Sequence, residues 1–361
     1  MKQLLGRAFL QAVLLLTCTF CVGGKTSTAG SADLAAPAGL CTYLKTQPAV
    51  LDAQPWDNDF GPGLAVITQH YEIRTTLLDP LVLTAIGAFL ESAHRAYQDQ
   101  LAAPVRTQFR FGVYLFASRG QWEAFTREFA GAAATAYLQI QEGAYCLNGE
   151  CVAYNIGIRD TFSALAHEGW HQFNSRHFAY RLPSWLDEGV ATLFESRVER
   201  GGRFRFEPAG NLQRLGTLKQ AINGRGLLEL QRLISLNPGQ LIDDAEAMAG
   251  FYAQSYALVR FLREDNYGSR LASYRRLLND AAAGSWPLDA QTCRIAADRD
   301  VPLTAAFNRD VSQRLFSLYV ETDAARIEGE YLAFCAKLAS QVRIKRPVST
   351  VSTREPDPRE Y

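Results

Sequence analysis

The stretch TFSALAHEGWHQFNS, residues 161–175, contains two histidines that lie four positions apart. Asp160 or Thr161 can cap the first turn of a helix here. Apolar residues recur at helical spacing along the stretch, at Phe162, Leu165, Ala166 and Phe173. Because residues four apart share one face of a helix, the sequence predicts a helix over Thr161–Ser175 with both histidines on the same side.

The residues His167-Glu168-Gly169-Trp170-His171 match the pattern H-E-x-x-H. Two imidazoles on one helical face suit zinc, which prefers nitrogen ligands and keeps one position for water in a catalytic site. Glu168 is placed to act on that water as general base without binding the metal itself. The alternative interpretation is that His167 and His171 are surface or core residues that make ordinary hydrogen bonds.

A third metal ligand is expected in the segment PSWLDEGVATLFE, residues 183–195. After H-E-x-x-H, this segment resembles the W-L-x-E-G-x-A segment of gluzincin metallopeptidases, notably those of the aminopeptidase N type. The resemblance covers Thr161–Glu195 and implies a zincin-like fold, a zinc cofactor and Glu188 as third ligand. It also implies that Glu195 orients a ligand histidine through the second ring nitrogen. A solvated helix charge is the alternative for Glu188.

The same resemblance indicates a catalytic tyrosine. In aminopeptidase N relatives, a tyrosine well after the glutamate ligand donates a hydrogen bond to the developing oxyanion, and Tyr252 lies at a comparable separation from Glu188. Tyr256, one helical turn later, is the alternative, and packing is the plainer role for both. The chain has no G-x-M-E-N motif, whose glutamate would bind a substrate amino terminus, so the sequence favours an endopeptidase.

The hydrophobic patterns on either side of these motifs predict an α+β fold over residues 41–342. A mixed α/β lobe extends to about residue 160, and a mainly helical lobe follows it. The strand at Cys151–Ile158 is either the edge strand that pairs with an extended peptide or an ordinary sheet strand. Predicted strands in the first lobe also include Leu64–Thr75 and Gln108–Phe116, and its predicted helices are Leu81–Gln100 and Gln121–Phe129. The later predicted helices are Ser184–Arg197, Leu212–Ile222, Ala245–Leu262, Ser269–Ala282 and Ala325–Gln341.

The two ends of the chain differ from its middle. Lys2 and Arg7 precede the apolar run Ala8–Val22, which has the layout of a secretory signal peptide over residues 1–24. The sequence therefore predicts export to the periplasm or the extracellular space, with lipid anchoring at Cys18 as a minor alternative. Residues 25–40 read as a flexible leader, and 343–361 read as a disordered tail.

The charge balance bears on the classes of binding partner, and the cysteines bear on disulfide formation. Lys plus Arg and Asp plus Glu both total 37, so no basic excess favours nucleic acid. No segment after the signal is long enough for a stable membrane span. Cys146 and Cys151 flank an Asn-Gly turn, which predicts a disulfide in an oxidising compartment. The pairing of the other mature cysteines stays open, and their odd number implies a free thiol: Cys41, Cys293 and Cys335.

These features together predict an exported zinc metallopeptidase that acts on a peptide or protein substrate. Two alternatives remain at this level. One is a binding protein that keeps the fold without turnover, although a purely structural metal site would not need Glu168. The other is a zinc hydrolase that cleaves a non-peptide bond, which the motif alone does not distinguish.

Overall fold

The computed structural model describes residues 37–342, apart from residues 142, 242 and 300–306. The predicted signal peptide (1–24), the predicted tail (343–361) and residues 25–36 of the predicted leader lie outside this part. The last four residues of that leader are not flexible, because they begin helix α1 (Pro37–Leu44). Burial of Leu40, Cys41 and Leu44 against the main core fixes this helix.

A six-stranded mixed sheet forms the first lobe, in the order β1-β2-β3-β4-β6-β5. Neighbours β3, β4 and β6 pair in parallel, whereas β1–β2, β2–β3 and β5–β6 are antiparallel. The predicted strand Leu64–Thr75 is a hairpin of two strands. The strands are β1 (Asp52–Pro55), β2 (Leu64–Ile67), β3 (Tyr71–Thr75), β4 (Phe111–Phe116), β5 (Ala144–Leu147) and β6 (Glu150–Tyr154).

The strand at one edge of this sheet is not the one that the sequence suggested. The predicted strand Cys151–Ile158 is shorter and begins one residue earlier, as β6 (Glu150–Tyr154), which lies between β4 and β5 and is therefore an interior strand. Strand β5 forms the edge instead. Its bounds were not predicted, because it is only four residues long and follows a segment without clear periodicity.

Strands β5 and β6 form the hairpin predicted from the Asn-Gly turn. Asn148 and Gly149 have φ values of 55° and 79°, the left-handed pair that a two-residue hairpin turn requires. Cys146 lies opposite Cys151 in the register, yet both are free thiols. The predicted disulfide is therefore not formed in the structure. Opposite Cα positions are necessary for such a bond, but the two sulfur atoms must also meet at bonding distance and angle.

Helices cover both faces of the sheet. Helix α2 (Pro80–Gln98) packs against α5 (Ile158–His177), and α5 in turn packs on β5 and β6. On the opposite face lie α3 (Arg119–Ala130) and α4 (Ala134–Tyr137), which share a second, mostly aromatic core with the sheet. Because both faces are covered, strand β6 is buried along almost its whole length.

The second lobe is mainly helical, as predicted. The predicted helix Ser184–Arg197 is shorter: α6 ends at Ala191, a 3₁₀ turn covers Thr192–Phe194, and a two-stranded hairpin follows. That hairpin consists of β7 (Arg197–Arg200) and β8 (Arg203–Phe206). The helices of this lobe are α6 (Ser184–Ala191), α7 (Leu212–Asn223), α8 (Leu230–Ser235), α9 (Ala245–Glu264), α10 (Leu271–Ala283), α11 (Ala290–Ala297), α12 (Gln313–Tyr319) and α13 (Ala324–Ser340).

A glycine allows a close approach of two helices in this lobe. A Cβ atom at Gly189 of α6 would lie 2.5 Å from the carbonyl oxygen of Ser255 in α9. Only glycine therefore allows these two helices to approach so closely.

Within the part of the chain that is described, no helix is long and apolar enough to cross a bilayer.

Candidate metal centre

Helix α5 carries both histidines of the H-E-x-x-H pattern. It begins at Ile158, earlier than predicted, with Gly157 rather than Asp160 or Thr161 at the N-cap position. Thr161 still stabilises this end, because its hydroxyl oxygen accepts a hydrogen bond from the Ile156 backbone N–H at 2.9 Å. Most of the helix is buried, so its two imidazoles face the protein interior.

Residues beside and between the two histidines fix this helix in place. The Tyr97 hydroxyl of α2 donates to the Ala166 carbonyl at 2.7 Å, and a Cβ atom at position 169 would lie 2.5 Å from that hydroxyl. Gly169 therefore gives Tyr97 its space. Trp170 donates from Nε1 to Asp187 of α6 at 3.0 Å, which ties α5 to the next helix.

Glu188 lies where a third ligand is expected. One carboxylate oxygen, Oε2, is 3.2 Å from His167 Nε2 and 3.5 Å from His171 Nε2. Ligand atoms about 2.1 Å from a tetrahedral zinc ion are about 3.4 Å from one another. Both distances from Glu188 therefore match the ligand spacing around one ion. His167, Glu168 and His171 also offer donor atoms within 4.8 Å of one another, so the residues present fit a metal ion.

Each histidine is also held from behind by a carboxylate. His167 Nδ1 lies 2.9 Å from Glu195 Oε1, and His171 Nδ1 lies 3.0 Å from Asp187 Oδ1. An imidazole that donates from Nδ1 to a carboxylate presents the lone pair of Nε2 on its other side. Both Nε2 atoms face Glu188, which is the orientation that metal binding requires.

The two supporting carboxylates are themselves anchored. Arg214 of α7 donates to both oxygens of Glu195, from Nη2 at 2.6 Å and from Nε at 2.9 Å, and Asn211 donates to Oε2 at 2.7 Å. Asp187 Oδ1 accepts a further bond from Asn174 Nδ2 at 2.8 Å. These bonds fix the carboxylates in position, so the imidazole rings cannot turn freely.

The buried carboxylates of Glu188 and Glu195 lie close to histidine and arginine side chains that lower their pKa values. Burial by itself would raise the pKa of Glu188, but the His171 and His167 imidazoles outweigh burial and hold that pKa at about 2. For Glu195 the effect of burial is likewise outweighed, mainly by Arg214, and the pKa is about 2. Both carboxylates are therefore ionised at neutral pH.

Glu168 differs from its neighbours. Its side chain is fully buried, and neither carboxylate oxygen has a hydrogen-bond partner among the described residues. Burial raises its pKa to about 7, although His171 and His167 partly oppose the rise. A buried carboxylate without protein partners is costly, so its presence beside the two imidazoles indicates a chemical role rather than a structural one.

The two candidate tyrosines of α9 have different surroundings. The ring centroid of Tyr252 is 6.4 Å from that of His167, and the Arg214 guanidinium carbon is 5.1 Å from the Tyr252 ring centroid. Tyr256 instead donates to the Pro208 carbonyl at 2.6 Å and accepts from Arg260 at 2.8 Å. The structure thus brings Tyr252 to the predicted centre, whereas the Tyr256 hydroxyl is engaged in hydrogen bonds away from it.

Sequence reasoning missed three residues of the centre, namely Asp187, Asn211 and Arg214. Asp187 had a signal, since it directly precedes Glu188 within the segment that suggested the third ligand. Asn211 and Arg214 had none, because a polar residue near the start of an amphipathic helix is usually solvated. Arg214 is only 3% exposed here.

No protein family, curated protein or solved structure matches this chain. The arrangement of its own residues is therefore the basis for assigning a function.

Proposed function

We propose that this chain is a zinc-dependent metallopeptidase with a zincin-like fold. His167, His171 and Glu188 hold the metal, and Glu168 is the general base. The observation that carries this proposal is the position of Glu188 Oε2, 3.2 and 3.5 Å from the Nε2 atoms of His167 and His171, beside the buried Glu168 carboxylate, which has no hydrogen-bond partner among the described residues. Ligands and base come from two adjacent helices, α5 and α6.

A zinc ion held by His167, His171 and Glu188 would supply Lewis acidity, which would lower the pKa of a water molecule and polarise a carbonyl group. Glu168 takes the proton from that water and delivers it to the leaving amine, so the carboxylate returns to its starting state after each cycle. Tyr252 donates its phenolic hydrogen to the oxygen that gains negative charge. Asp187 and Glu195 keep the two imidazoles oriented throughout.

A peptide is the substrate that the sheet favours. Strand β5 pairs only with β6 in the described structure, so its outer edge offers backbone N–H and C=O groups to an extended chain. Strand β5 also packs on α5, the helix that carries Glu168. The edge strand expected for substrate pairing is thus β5 and not the strand at Cys151–Ile158. Pairing along an edge suits cleavage of an internal peptide bond. The sequence also has no G-x-M-E-N motif that would bind the amino terminus of a substrate.

The place of action is proposed from the sequence alone. The signal-peptide layout of residues 1–24 favours an exported protein, and residues 1–36 lie outside the described part of the chain. Intact-mass measurement of protein secreted by an expressing cell tests this. A mature amino terminus near Lys25 supports export, and an unprocessed Met1 contradicts it.

The functional test is a peptide-library digest read by mass spectrometry. Zinc-loaded protein should cleave internal bonds, a chelator should stop cleavage, and added zinc should restore it. A matched pair of peptides, one free and one acetylated at its amino terminus, should be cleaved equally. Removal of single residues from the free peptide alone would contradict the endopeptidase proposal. Failure of the zinc-loaded protein to cleave any peptide would contradict peptidase activity and favour a binding protein or a hydrolase of another bond.

A further inference from the structure

A cavity of about 640 Å³ lies between α2, the β7–β8 hairpin and the end of α9. None of the residues assigned to the metal centre lines it. Its volume falls within the range of small-molecule sites, about 300–1,000 Å³. The cavity therefore has the size of a separate binding site.

Two arginines in this cavity lack acidic partners. Arg95 of α2 donates to the Ser92 hydroxyl at 2.9 Å, and Arg263 of α9 donates to Gln100 Oε1 at 2.6 Å. Both of these acceptors are neutral, and neither arginine forms an ion pair within the described residues. An arginine that lines a cavity without a carboxylate partner keeps donors for an anion.

The other charged residues that line the cavity, Arg205 and Asp99, add less net charge than Arg95 and Arg263. Arg205 also lines the cavity, but it already forms an ion pair with Glu207. Asp99 is the acidic residue in the lining. Arg95 and Arg263, the two lining arginines without an ion pair in the described part of the chain, outnumber this one aspartate, so the cavity favours an anionic occupant.

One wall of the cavity is apolar. Phe204 and Phe206 come from β8, and Leu193 and Phe194 come from the 3₁₀ turn that follows α6. The ring centroids of Phe194 and Phe206 lie 5.6 Å apart in an edge-to-face arrangement. An inorganic anion has no apolar surface to pack against such a wall, whereas an organic acid can place its apolar part against the rings.

We propose that this cavity binds a small organic carboxylate with an aromatic or aliphatic body. Arg95 and Arg263 pair with the carboxylate, and the body packs against Phe204 and Phe206. The proposal does not depend on the metal centre or on peptidase activity. It follows from two guanidinium groups without an ion pair among the described residues and an aromatic wall within one cavity.

Isothermal titration of the full chain with 4-phenylbutyrate tests the proposal. We expect one site per chain with a Kd of about 1 mM or below. The neutral twin 4-phenylbutyramide should bind about tenfold more weakly, because it lacks the charge that strengthens hydrogen bonds to arginine. Absence of saturable binding, or equal binding of acid and amide, would overturn the proposal. Inorganic phosphate that bound as tightly as the acid would also overturn it, since the apolar wall would then contribute nothing.

Variants locate the site. Arg95→Gln and Arg263→Gln should each weaken binding of 4-phenylbutyrate about tenfold. Arg127→Gln is the matched control, because Arg127 lies on α3 and forms an exposed ion pair with Glu123. Circular dichroism verifies that each variant is folded before titration. An equal loss in the control variant, or unchanged binding in both cavity variants, would contradict the assignment.

Discussion

Two groups of histidines in this protein, all buried except the half-buried His177, differ in the partners of their ring nitrogens. His167 and His171 each have a carboxylate at both ring nitrogens, and the pKa of each is raised, because these carboxylates outweigh burial. His94 and His177 are instead linked through Thr107, at 3.2 and 2.9 Å. Burial lowers the pKa of both to about 4. Partners, not burial, therefore separate the two groups.

This contrast explains why only one group suits a metal. His177 lies on the same helix as His171, and it packs against Phe173 with ring centroids 4.7 Å apart. Packing of this kind favours a neutral ring that fills space. Ionised carboxylates around His167 and His171 fix the rings and attract a cation, at the cost of burying several charges. Such a cost is typical of a functional site.

The largest effect is expected from Glu168→Gln. The variant should retain zinc and lose about 10²–10⁴-fold in kcat for peptide cleavage, because glutamine cannot accept the proton of the attacking water. Glu91→Gln is the matched control, because the Glu91 carboxylate also contacts a histidine, 2.7 Å from His70 Nδ1, outside the metal centre. The control should keep full activity. A fully active Glu168→Gln variant would disprove this mechanism.

Tyr252→Phe should lower kcat about 10²-fold while zinc content and KM stay nearly unchanged, since the lost hydrogen bond forms mainly in the transition state. Tyr256→Phe should leave kcat almost unaltered. It should instead reduce the free energy of unfolding by about 1 kcal/mol, because it loses the bond to the Pro208 carbonyl. Steady-state kinetics and urea denaturation of both variants separate the two roles. Equal kcat values would contradict the role given to Tyr252.

A more moderate effect is expected from Asp187→Asn. The variant should bind zinc about 10–100-fold more weakly, because the carboxylate behind His171 orients the ring and makes it more basic. Competition with a fluorescent chelator measures the affinity. Glu91→Gln again provides the comparison and should bind zinc like the unmodified protein. Unchanged affinity in Asp187→Asn would show that the support behind His171 is dispensable.

The parts of this arrangement that the sequence predicted are those that depend on local spacing. His167 and His171 share a helix face by their four-residue separation, and the general division into an α/β lobe and a helical lobe follows from periodicity. The partner of Glu195 depends on how α7 packs, so no spacing in the sequence indicates Arg214. The strand order places β5 outside β6, which depends on long-range pairing. Cys146 and Cys151 meet through a predictable turn, yet the distance between their sulfur atoms depends on side-chain packing.

The smallest expected effect concerns the second histidine group. Folding lowers the pKa of His94 and His177 from 6.5 to about 4, so the unfolded chain binds more protons than the folded chain between these pH values. Their contribution to stability is complete above pH 6.5 and declines as the pH falls toward 4. His94→Gln should therefore reduce the loss of unfolding free energy between neutral and acid pH. Urea denaturation of both proteins at each pH measures this, and identical losses would contradict the assignment.

The most direct test of the metal centre is zinc content after loading and gel filtration, measured by elemental analysis on three proteins. The account predicts about one zinc per chain in the unmodified protein and in His94→Gln, and almost none in His171→Ala. Unmodified protein without zinc would contradict the central claim. So would a His171→Ala variant that retained as much zinc as the unmodified protein.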